Sequence, residues 1–123
     1  MAHTNQENKT PAADEATVLA WFAALPKPYN AVGKRVHELI IESVPDLKPR
    51  MWYGKPGYAK DGEVRIYFHL DDPYIALGFT QKMVPEPDED DPGYLSPSAW
   101  VITSMDEATE KRLTKIVRRR AAG

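Results

Sequence analysis

Cysteine is absent from the 123 residues, which excludes disulfides, thiolate nucleophiles, iron–sulfur clusters and zinc–thiolate sites. Excess charge of either sign is lacking too. Sixteen lysines and arginines stand against eighteen aspartates and glutamates, a net of −2, and a dedicated nucleic-acid binder is usually basic. Met1 to Ala13 has no apolar stretch of the kind a secretory leader needs, and no apolar run reaches the roughly 20 residues that span a bilayer. The expectation is a soluble, cytoplasmic protein that meets no nucleic acid and no membrane. Catalytic signatures are missing as well. There is no Gly-x-Ser-x-Gly elbow, no glycine-rich phosphate loop, and no pair of histidines at metal-ligand spacing among His3, His37 and His69. The chain is therefore expected not to be an enzyme.

What is present is organised around Met51 to Gly62, which sets Trp52, Tyr53 and Tyr58 among three glycines and Pro56. Pro56-Gly57 suits the centre of a type II turn, and Asp61-Gly62 is a two-residue hairpin signal. Before this stretch the pattern is helical. Asp14 is placed to cap a short helix carrying Val18, Phe22 and Leu25, ended by Pro26, and Met1 to Ala13 reads as a disordered tail. Between Pro28 and Pro45, Val32, Val36, Leu39, Ile40, Ser43 and Val44 form the clearest stripe of helical period.

After Pro45 the period changes to two. Short strands are expected around Met51-Trp52-Tyr53 and Tyr58-Ala59. A longer strand over Glu63 to Leu70 places Val64, Ile66, Phe68 and Leu70 on one face and Glu63, Arg65, Tyr67 and His69 on the other. Tyr74 to Phe79 and Trp100 to Thr103 continue the sheet. Ser104 to Glu107 reads as the capping box of a last helix, whose Leu113, Ile116 and Val117 are buried. Residues 14–120 thus predict one α+β domain. It is a two-layer sandwich in which helices cover one face of an antiparallel sheet of about five strands.

Two candidate sites follow. Trp52, Tyr53, Tyr58 and Tyr67 can line an aromatic pocket for a small organic or cationic ligand, with Lys55 or Arg65 as its polar handle. Aromatic residues just as commonly close a core or a sheet edge. For a metal, the acids Glu86, Asp88, Glu89, Asp90 and Asp91 suit a hard cation such as iron, calcium or magnesium, with Glu63, His69, Asp71 and Asp72 as a second set. Acid runs between prolines are ordinarily solvated loops. His37, beside the helical stripe, is expected to pack or snorkel rather than ligate.

An ordered series covering about Val32 to Arg119 resembles the YdhG-like domain family of small bacterial proteins. It comprises the helix end Val44-Pro45-Asp46, the stretch Trp52-Tyr53-Gly54-Lys55-Pro56-Gly57-Tyr58, the strands Ile66-Tyr67-Phe68 and Ala76-Leu77-Gly78-Phe79, and the terminal Leu113-Thr114-Lys115-Ile116-Val117-Arg118. Members commonly read Tyr-Gly-Met-Pro-Ala-Phe or Tyr-Gly-Met-Pro-Ala-Tyr in the middle. Here Lys55 replaces the apolar residue and Gly57 the alanine, which alters any site that uses that apolar side chain. Some members are described as frataxin-like intracellular iron chaperones. The resemblance implies iron binding, with iron or an iron-accepting protein as partner, although no ligand motif carries over residue by residue. The alternative is a ligand- or protein-binding module using the aromatic turn and the open sheet face, with a homodimer as one form of it.

Overall fold

A computed structural model describes residues 11–71, 74–80 and 98–121. Three helices cover one face of a five-stranded antiparallel sheet, an α+β fold. The elements run α1 (Pro11–Ala23), α2 (Tyr29–Ser43), β1 (Lys48–Trp52), β2 (Lys55–Lys60), β3 (Glu63–Asp71), β4 (Tyr74–Phe79), β5 (Ala99–Ile102) and α3 (Glu107–Ala121). Strand order in the sheet equals chain order, so each strand pairs with the one that precedes it in the chain.

The apolar stripes meet between the layers. Val18 and Phe22 of α1, Val36 and Ile40 of α2 and Val117 of α3 are fully buried against Tyr58, Ile66, Phe68, Ile75 and Leu77 of the sheet. Phe22 meets Phe68 edge to face with centroids 4.8 Å apart. α1 and α2 can approach this closely because Gly33 leaves room for the Phe22 ring; a Cβ there would lie 2.4 Å from it. Arg35 of α2 forks onto Glu110 of α3 through two 3.0 Å hydrogen bonds, and the buried Arg120 guanidinium lies 5.4 Å from the Phe79 ring and 5.0 Å from that of Trp100.

Local expectations changed in four places. The β1–β2 hairpin turns at Tyr53-Gly54, with φ of 52° and 78°, a two-residue type I′ geometry, whereas Pro56-Gly57 lies inside β2 opposite Met51 and Arg50. Proline is tolerated there because β2 pairs with β3 only from Gly57 onward, so its missing N–H breaks no described ladder bond on that side. Asp61-Gly62, at φ 53° and 81°, turns as its sequence predicts. In β3, Tyr58 pairs with Ile66 but Ala59 pairs with Val64, which makes Arg65 the extra residue of a β-bulge. The alternation breaks there, so Val64 lies with Trp52 on the open face while Ile66 and Phe68 stay in the core.

The helix starts moved as well. Asp14 sits in the first turn of α1, which already includes Pro11 to Ala13, and the cap of α3 is Asp106 rather than Ser104. Asp106 Oδ1 accepts from the Thr109 N–H at 2.8 Å, the bond a cap makes to the third helical residue.

Candidate functional site

The open face of the sheet holds an aromatic recess beside the Tyr53-Gly54 turn. Its width comes from glycine. Tyr67 is flanked in the sheet by Gly57 on β2 and Gly78 on β4, and its ring lies over Gly78 so closely that a Cβ there would sit 2.4 Å from it. Gly57 likewise lets Trp52 and Val64 close over the strand, a Cβ there lying 3.0 Å from the Trp52 side chain. Trp52, Tyr53, Lys55, Glu63, Val64 and Tyr67 then enclose an open space of about 610 Å³, the Thr80 end of β4 closing it off. Thr80 fastens that end: its hydroxyl donates to the Val64 carbonyl at 2.8 Å and its N–H to the Arg65 carbonyl at 2.9 Å.

Three rings converge in different planes. Trp52 meets Tyr53 at 4.9 Å between centroids and 73° between planes, and Tyr67 at 5.5 Å and 45°. Lys55 reaches over the Tyr67 ring with Nζ 5.7 Å from its centroid. Tyr53 is 84% exposed, the most exposed of the large apolar residues described.

Four of the six expected ligand residues, Trp52, Tyr53, Lys55 and Tyr67, are therefore brought together. Tyr58 and Arg65 are not. With the turn at Tyr53-Gly54, β2 alternation sends Lys55 and Gly57 to the open face and Tyr58 to the opposite one, where it is fully buried beneath the helices. Arg65 is the half-buried bulge residue and does not line the recess.

Of the expected metal ligands, His69 is exposed on β3, and Asp71 is the last residue of that strand. Glu63 borders the aromatic recess instead. Asp72 and the run Glu86, Asp88, Glu89, Asp90 and Asp91 lie outside the described residues. Among the described residues no group of three or more His, Asp or Glu side chains is placed to hold a metal ion. Nor is any described helix long and apolar enough to cross a membrane.

A second polar constellation lies under the helices. His37 is buried, its Nδ1 2.8 Å from the Tyr58 hydroxyl and its Nε2 2.9 Å from Glu15 Oε2. A carboxylate only accepts, so Nε2 carries a proton and donates to Glu15, and in the neutral imidazole Nδ1 then accepts from the Tyr58 O–H. Burial, and after it the Glu15 charge, pushes the Tyr58 phenol well above its ordinary 10, which keeps it a neutral donor. Carboxylate, imidazole and hydroxyl stand in the order of a catalytic triad, but the hydroxyl has no solvent access. The chain instead fastens α1, α2 and β2 together. Packing was expected of His37; its partners Glu15 and Tyr58, 22 and 21 residues away, carry no local signal in the sequence. No family model matches the chain, and no curated protein or solved structure matches it significantly.

Proposed function

We propose that this chain is a non-enzymatic binding module that takes a small organic molecule in the recess between Trp52, Tyr53 and Tyr67. The observation that carries the reading is Tyr53. A bulky residue with φ of 52° is uncommon, because the left-handed region crowds its Cβ, and such strain is typically retained where a side chain must be aimed. Here the strained residue is a tyrosine that packs edge to face on Trp52 and leaves most of its surface in solvent. It forms a wall of an open recess rather than part of the core. Burying ring surface against an incoming apolar molecule supplies the driving force, and Glu63 and the turn's backbone supply the polar contacts.

Membership in the YdhG-like family remains part of this proposal, on the ordered residues from Val32 to Arg119. An iron-delivery role rests on the acids from Glu86 to Asp91, and no geometry among the described residues adds to it. Titration with indole, a flat neutral ring, followed by amide NMR shifts, tests the recess. Saturable shifts are expected at Trp52, Gly54, Tyr67 and Gly78, weakened about three- to tenfold in Tyr53→Asn, as the loss of one aromatic contact implies. Shifts confined to other surfaces would assign binding elsewhere and remove the recess as the site.

A further inference from the structure

We infer that the recess selects organic cations, quaternary ammonium groups above all, and that Lys55 occupies the cation position when no ligand is present; this rests on the binding role proposed above and names its ligand class. The first observation is that a cation already stands there. Lys55 Nζ lies 5.7 Å from the Tyr67 centroid, which marks the outward face of that ring as open to positive charge. The opposite face is sealed, because the ring lies on Gly78 with no room for a Cβ between. A ligand can therefore approach Tyr67 from one side only, the side on which the ammonium sits.

The second observation is the arrangement of rings. Trp52 stands at 45° to Tyr67 and at 73° to Tyr53, so the three rings border one volume in different planes, and a cation there is drawn to their electron-rich faces rather than their positive edges. A flat neutral molecule gains most from parallel faces. A tetrahedral methylated ammonium, whose charge is spread over its methyl groups, makes contact with all three. Glu63 borders the same space and supplies negative charge at its rim.

The third is the resident side chain itself. Lys55 is half-buried, and its ammonium is strongly hydrated in water, so its place in the recess costs it hydration that a methylated ammonium does not need. A quaternary ligand thus displaces Lys55, whose four-carbon stem lets the charge swing out into solvent. Lys55 opposes binding in two ways, by occupying the ring and by repelling the incoming charge.

The test compares choline with its uncharged isostere 3,3-dimethylbutan-1-ol, titrated separately into the full chain and followed by amide shifts of Trp52, Gly54, Tyr67 and Gly78. Choline is expected to bind about tenfold more tightly than the isostere, the discrimination a cation–π site supplies. Lys55→Met is expected to tighten choline several-fold and leave the isostere nearly unchanged. Equal binding of the two molecules, or a preference for the isostere, overturns the cation inference and leaves the recess as a general organic site. Binding of neither, where indole still binds, overturns the cation inference alone; failure of indole as well overturns both. Because Lys55 lies at the open face, the variant keeps the core intact, and loss of choline binding in Lys55→Met would show that Lys55 contacts the ligand instead of competing with it.

Discussion

Tyr53 holds its backbone at φ 52°, where an L-residue's Cβ crowds the following carbonyl at a cost of about 1–2 kcal/mol. The edge-to-face contact with Trp52 returns about 0.5–1.5 kcal/mol at most, and the lower end applies because the ring is largely exposed. Asparagine enters the left-handed region more readily and is a preferred residue of type I′ turns. Tyr53→Asn should therefore hold or raise the melting temperature, by up to about 4 °C for a chain of this size, while weakening ligand binding. Thermal unfolding by circular dichroism decides this. A clear fall in Tm would mean that Tyr53 is kept for stability and that its conformation carries no functional strain.

At the scale of elements, the sheet is covered on one face and open on the other, and α3 is one of the helices on the covered side. Its first turn is held by two carboxylates. Hydrogen bonds from the Thr109 side chain and backbone hold Asp106 below its ordinary 3.8, and the Arg35 guanidinium holds Glu110 below 4.5. Both groups titrate lower in the folded chain than in the unfolded one. Their stabilisation is therefore complete above the unfolded values and is lost as pH falls through the folded ones. Acid titration of Tm should show a decline beginning near pH 4.5. Glu110→Gln should lower Tm at neutral pH by about 1–2 °C, because the pair with Arg35 is partly exposed, and should flatten part of the acid slope. An unchanged acid slope in Glu110→Gln would place the acid sensitivity on other groups.

Across the whole molecule, what could be read from the sequence was whatever repeats with a strong local period. Val32 to Val44 has an unbroken helical stripe, and Tyr74 to Phe79 alternates cleanly, so α2 and β4 stand where they were expected. The first hairpin was hidden because tyrosine is a poor signal for a left-handed turn position, whereas Pro56-Gly57 looks like a turn and is strand. That shift of the turn reversed the facing of Tyr58. The bulge at Arg65 was hidden for the opposite reason: Val64, Ile66 and Phe68 keep an apolar alternation that the backbone does not follow. Trp52, Tyr53, Lys55 and Tyr67 were legible as neighbours because three of them adjoin one turn, while Glu15, His37 and Tyr58 meet only through the packing of the two layers. That buried chain makes the fold sensitive to alkali. Burial raises the Tyr58 phenol above its ordinary 10, so its contribution is complete below pH 10 and is lost as pH rises toward the folded value. Tyr58→Phe removes this slope but leaves His37 Nδ1 buried without its donor, at a cost of about 1–3 kcal/mol. Denaturant unfolding at pH 7 and pH 10.5 should find the variant less stable at neutrality and less sensitive to alkali than the natural chain. A variant as stable as the natural chain at pH 7 would mean that the Glu15–His37–Tyr58 chain does not bind the helical layer to the sheet.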